Sequence, residues 1–277
     1  MAKLTIASVE MLERTNVILS KNGYNLSKAY ITDFARTLGG KGYGASPFAE
    51  VNNSLLLGTY FAVDSYGYSV VIDENGFVKS IPQCFETTVG VRPAILLNDL
   101  EKEKLKGKET FVYYESYPMS AVDETISKEL NYRYLSSNLI YKGKTFYIPE
   151  GKGILASVPL SIYEYNGSKY ICVPFNTNLG NKQCLTNGLI YDKGDSVWIK
   201  VEMIPWIVDA ANGYMLSEKI LFSGLNFNET KVQANLFDGS AIRRLEESNI
   251  DKFLQNSFLP NVDLVSDDVV SKVYVKQ

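Results

Sequence analysis

The segment Thr87-Thr88-Val89-Gly90-Val91-Arg92-Pro93-Ala94-Ile95-Leu96-Leu97-Asn98 constrains the fold more than any other stretch. It reads as an apolar strand entered through one glycine, crossed by one Arg-Pro step and followed by a charged run. Aliphatic runs of this kind belong in the interior of a sheet. A charge inside one needs a partner or an exit to the surface. Arg92 is therefore expected in a buried structural ion pair, with ligand contact as the other reading. Pro93 takes a structural role beside it.

Strands lead up to this segment. Residues 60–64 and 68–73 alternate around Ser65-Tyr66-Gly67, and residues 77–81 return after Asp73-Glu74-Asn75-Gly76. The Asn-Gly pair predicts positive φ angles in a tight hairpin. Upstream, residues 4–6 read as a short strand and Ser8 as the N-cap of a helix over residues 9–19. A second helix is expected over residues 27–38, stopped by Gly39-Gly40. The glycine-rich loop that follows lacks the strand and the Lys-Ser/Thr of a phosphate cradle.

Residues 99–108, Asp-Leu-Glu-Lys-Glu-Lys-Leu-Lys-Gly-Lys, read as a solvated charged linker. They divide a lobe at 1–98, with two helices and a β-meander, from a β-rich lobe at 109–277. In the second lobe, residues 110–115 and 145–148 are expected as strands and 121–130 as a helix. Asn166-Gly167 joins residues 161–165 and 169–173 in another hairpin. Residues 196–209 form one long strand with Pro205 at an edge or bulge. Residues 242–258 are expected to be helical and 267–275 to form a last strand.

The chain of 277 residues is long enough for one large core or two modest ones. Its net charge of −3 and the lack of a basic stripe argue against nucleic-acid binding. No apolar run approaches the roughly 18 residues of a membrane span, and the start lacks the apolar core of a signal peptide. Synthesis in a cytoplasm without membrane insertion is expected. Histidine is absent, which removes the commonest general base and the usual zinc ligand. Cys84, Cys172 and Cys184 match no metal or redox spacing and read as buried thiols. No cofactor or metal is expected. Glu164, Asp195, Glu202 and Asp209 are the candidate paired carboxylates of a hydrolase, the second alternative function.

Nineteen tyrosines stand beside two tryptophans. Tyrosine suits contact surfaces and strands alike. The candidate binding residues are Tyr43, Tyr66 and Tyr68, from glycine- and tyrosine-rich loops, with Trp198 and Trp206. These tryptophans lie eight apart and share a face if the period of two survives Pro205; core packing is their other reading.

Thr32-Asp33-Phe34-Ala35-Arg36, Gly58-Thr59-Tyr60-Phe61-Ala62-Val63-Asp64, Asp73-Glu74-Asn75-Gly76 and Gly90-Val91-Arg92-Pro93-Ala94 form one motif set. Tyr114-Glu115-Ser116-Tyr117-Pro118, Tyr163-Glu164-Tyr165-Asn166-Gly167, Val201-Glu202-Met203-Ile204-Pro205-Trp206 and Leu216-Ser217-Glu218-Lys219-Ile220-Leu221 form another. The first set resembles the closing half, and the second the opening half, of a family of bacterial and phage domains of unknown function. That family has the C-type-lectin-like fold shared with formylglycine-generating enzymes. The copper-binding cysteine pair of those enzymes and the signatures of calcium-dependent sugar binding have no counterpart here. The halves also stand in reverse order. They are either separate domains or one circularly rearranged unit, with residues 4–6 near residues 272–275.

The resemblance implies an α+β, C-type-lectin-like fold of antiparallel strands with a few helices. It implies a non-enzymatic structural or recognition protein, assembled into a virion as a capsid-decoration, tail or host-binding component. Its expected partners are other virion or surface proteins and further copies of itself, with a carbohydrate or host receptor as ligand. A bacterial carbohydrate- or peptide-binding protein is the alternative.

Overall fold

Tight turns divide the chain into short strands in the computed structural model, which describes residues 3–19, 27–43, 56–66, 68–79, 88–106, 111–149, 157–176 and 182–224. The first strands are β1 (Lys3–Ile6), β2 (Ala29–Ile31), β3 (Gly42–Tyr43), β4 (Leu57–Gly58), β5 (Tyr60–Val63) and β6 (Ser69–Ile72). Then come β7 (Val78–Lys79), β8 (Gly90–Val91), β9 (Pro93–Leu96), β10 (Phe111–Ala121), β11 (Ile140–Pro149) and β12 (Ser157–Tyr165). The last are β13 (Ser168–Pro174), β14 (Gln183–Cys184), β15 (Ile190–Tyr191), β16 (Ser196–Asp209), β17 (Tyr214–Ser217) and β18 (Lys219–Ile220). Helices are α1 (Val9–Leu19), α2 (Asp33–Thr37), α3 (Asp99–Leu105) and α4 (Glu124–Leu135). The protein is β-rich with few helices.

Strand β16 is the spine of the largest sheet, whose pairs are all antiparallel and run β1-β9-β17-β16-β13-β12-β11, with β10 also on β16. A second sheet is ordered β18-β2-β4-β3 and a third β7-β6-β5-β8. Strands from both sides of residues 99–108 thus share hydrogen bonds: β9 pairs with β17, and β2 with β18. The largest core cluster likewise joins Ile6, Phe34, Phe61 and Ile95 to Ile171, Ile199, Trp206 and Met215. The boundary expected at 99–108 does not divide the sheet or the core.

Within that segment Asp99–Leu105 is a helix, α3, which corrects the linker reading there. Asn98 caps α3 in a capping box with Glu101, and Leu105 is fully buried. Asp99, Glu103 and Lys104 occupy its outer face while Glu101 and Leu105 turn inward. The Val-Arg-Pro segment also differs from one continuous strand. Strand β8 pairs in parallel with β5, whereas β9 pairs with β1 and β17, so the chain changes sheets at Arg92-Pro93.

Residues 27–38 are not one helix. Thr32 is the N-cap of α2, its hydroxyl accepting the Ala35 N–H at 3.1 Å, and Ala29-Tyr30-Ile31 before it alternates as a strand. Ser8 caps α1 as expected, its Oγ accepting the Met11 N–H. The Asn166-Gly167 hairpin has positive φ at both residues, 49° and 73°. In the Asp73–Gly76 turn only Gly76 does, at 86°. There the Asp73 carboxylate accepts the amides of Asn75 and Phe77 and shapes the turn itself.

Strand β16 runs through Pro205, which pairs opposite Tyr113 one step from a register shift in β10. Its inward side chains change there from Val197, Ile199 and Val201 to Ile204, Trp206 and Val208. The period of two breaks between Val201 and Ile204. Residues 242–258, residues 267–275 and Cys84 lie outside the described residues, as does the expected closeness of residues 272–275 to the first strand.

Candidate recognition surface

Arg92, at the step between sheets, is wholly buried. Its Nε donates to the Ser217 carbonyl at 2.7 Å and Nη1 to the Tyr60 hydroxyl at 3.1 Å, with the guanidinium 5.3 Å from the Tyr60 ring centroid. The Tyr60 hydroxyl passes the chain on to the Ser27 carbonyl at 2.7 Å. Burial pushes the Tyr60 pKa up, and the Arg92 charge offsets part of that. Arg92 and the buried Pro93 therefore hold β5, β9 and β17 together.

Trp198 and Trp206 are 1% and 0% exposed, which removes them as a binding platform. They do not share a face either. Trp206 lies in the main core, while Trp198 joins Val122, Leu130 and Tyr170 beneath α4. Its indole N–H donates to Asn131 at 2.8 Å. The broken period in β16 is the cause.

The tyrosines fare differently. Asp64 accepts the amides of Tyr66 and Tyr68 at 2.9 and 2.8 Å, and its own N–H reaches the Tyr68 carbonyl. Asp73 repeats this with Asn75 and Phe77, so the turns that begin at Asp64 and Asp73 share these hydrogen bonds. Each carboxylate sets an aromatic outward: Tyr66 is 80% exposed and Phe77 69%. The two turns sit at opposite ends of β6. Burial would raise the Asp73 pKa, but the Lys79 ammonium at 2.8 Å and the two amides outweigh it and hold the carboxyl below its ordinary value. Tyr43 lies elsewhere, half-buried on β3, with the Lys41 ammonium 4.6 Å from its ring centroid.

Two aromatic sites escaped sequence reasoning. On the end of α4, Tyr134 meets Tyr163 and Trp198 in mutual edge-on contacts, with centroids 5.6 to 5.9 Å apart. Arg133 lies 4.9 Å over the Tyr165 ring, and Tyr132 and Leu135 are exposed beside it. The run Tyr132-Arg133-Tyr134-Leu135 near a helix end was its signal. The other site is Tyr30, exposed on β2 in the same sheet as Tyr43.

Several acidic groups are engaged in structure. Asp209 accepts the Asn212 amides in the β16–β17 turn, and Asp195 accepts the Asp192 N–H. Asp33 is buried and accepts the Ala121 and Thr186 N–H groups at 2.9 and 3.1 Å and the Thr186 hydroxyl; Arg36 lies 3.8 Å away. Asp33 thereby joins α2 to β10 and to the β14–β15 hairpin. Among the described residues no cluster of three or more metal-ligating side chains is present.

No family model, curated protein or solved structure matches the chain.

Proposed function

We propose that the chain is a non-enzymatic structural or recognition protein, virion-associated as a capsid-decoration, tail or host-binding component, presenting its loops on a C-type-lectin-like scaffold. The observation that carries this reading is the pair of turns with matching hydrogen bonds that hold Tyr66, Tyr68 and Phe77 in solvent. Aromatic side chains fixed at turn tips offer contact area at low entropic cost. The pairing of β9 with β17 adds support. It sets Gly-Val-Arg-Pro-Ala, from the segments resembling the family's closing half, beside Leu216-Ser217 from the opening half, as a circularly rearranged unit requires. Its partners are further copies of itself and other virion or surface proteins.

A bacterial carbohydrate- or peptide-binding protein is the second reading, favoured by the aromatic shelf around Tyr134. The mass of the full chain in solution, measured by light scattering, separates the two. The virion reading expects a multimer. A strict monomer at all concentrations overturns it.

A further inference from the structure

The sheet β18-β2-β4-β3 sets four residues in one transverse row. Lys219 pairs with Tyr30, Tyr30 with Leu57, and Leu57 with Tyr43. Directly paired residues share a face. The adjacent positions, Ala29, Gly58, Gly42, Ile31 and Ile220, are buried and form the opposite face. Small residues there let the sheet lie close on the core: a Cβ on Gly58 would stand 2.6 Å from Ile220 Cδ1. The outer row is partly exposed, with Tyr30 42% exposed and Lys219, Leu57 and Tyr43 half-buried.

The ends of the row are cationic. Lys219 closes one end, and Lys41 stands over Tyr43 at the other. Two strand spacings separate Tyr30 from Tyr43, about 10 Å. Two rings this far apart on one face of a sheet match alternate residues of an extended sugar chain, whose C–H faces stack on tyrosine. Lysines at both ends add charge complementarity for carboxylate or sulfate groups. We propose that this row binds an extended acidic oligosaccharide, stacked on Tyr30 and Tyr43 with its acidic groups toward Lys41 and Lys219. The proposal rests on the reading of the chain as a recognition protein and names a ligand class for it.

Calorimetric titration of the full chain tests it, with a heparin-derived hexasaccharide and hexagalacturonate as acidic probes. Cellohexaose and a hexaglutamate peptide are the comparators. At least one acidic sugar binds, and more tightly than either comparator. Tyr30→Ala and Tyr43→Ala each weaken it about threefold to tenfold, and Lys219→Gln makes the affinity less sensitive to salt. Leu100→Ala, exposed on α3, leaves it unchanged. Equal binding of cellohexaose overturns the charge assignment, and equal binding of hexaglutamate overturns the sugar. Tyrosine variants that melt like the parent and bind like it overturn the platform. If Tyr66→Ala alone weakens binding, the platform falls and the recognition reading stands. If no acidic sugar binds the parent, the platform also falls, and the solution mass still tests that reading.

Discussion

Arg92 donates its Nε–H to the main-chain carbonyl of Ser217, 125 residues further on, at 2.7 Å. The same guanidinium reaches Tyr60, so one side chain bridges the two sheets that the chain passes between at Pro93. Bonds from a buried charge are worth more than neutral ones, about 1.5–3 kcal/mol each. Arg92→Met therefore lowers the unfolding free energy by about 3 kcal/mol or more in urea titrations, and Tyr60→Phe by less. An Arg92→Met chain as stable as the parent would remove the bridge from the account.

Gly90 and Gly167 are required for different reasons. A Cβ on Gly90 would lie 2.2 Å from Ile220 Cγ2, and the main chain of Phe222 and Thr59 closes the other sides. Gly167 has open space around it but a φ of +73°. Gly90→Ala is expected to cost about 1–3 kcal/mol through overpacking, and Ile220→Leu, which lacks the Cγ2 methyl, recovers part of it in the same chain. Gly167→Ala costs about 1 kcal/mol through backbone strain, and no second substitution of a neighbour repairs it.

Asp33 receives donors from β10 and from the β14–β15 hairpin. Asp33→Ala leaves the buried Ala121 N–H without this acceptor, at a cost of about 1–3 kcal/mol for each stranded group. Amide exchange at Thr186 and Ala121 accelerates in this variant more than at Ile171, which is remote from the carboxylate.

Asp73 carries a pH signature. Its folded pKa is depressed below 3.8, so its bonds to Lys79, Asn75 and Phe77 stabilise the native state above that pH. The contribution disappears as the pH falls through the folded value, because the unfolded chain takes up the proton first. Stability of the parent therefore falls more steeply than that of Asp73→Asn as the pH drops below about 4. Parallel acid titrations of the two chains check this, and curves of equal slope would contradict it.

What the sequence disclosed was local. The Ser8 cap and the Asn166-Gly167 turn depend on residues within a few positions, and both formed as read. Helix α3 had its signal in Asn98-x-x-Glu101, but the density of charge around it concealed the inward Leu105. Thr32 ended β2 and began α2 inside what looked like one helical stretch. The step at Arg92 was hidden because pairing partners 30 and 120 residues away decide which sheet each side joins. The Tyr30–Leu57–Tyr43 row was equally illegible, since strands of two or three residues are too short to show a period. The separation of Trp198 from Trp206 follows from a shift in register with β10, which no pattern within β16 encodes.

With β9 and β17 paired and Arg92 bridging them, chain on both sides of α3 is expected to unfold as one cooperative scaffold. Urea unfolding tests it most directly, followed together by tryptophan fluorescence and by amide exchange in β5 and β6. Trp198 and Trp206 report the part after α3, and the amides of Phe61 and Val71 report the part before it. One transition with coincident midpoints is expected for all probes. Two separated transitions, one for each side of α3, would contradict it.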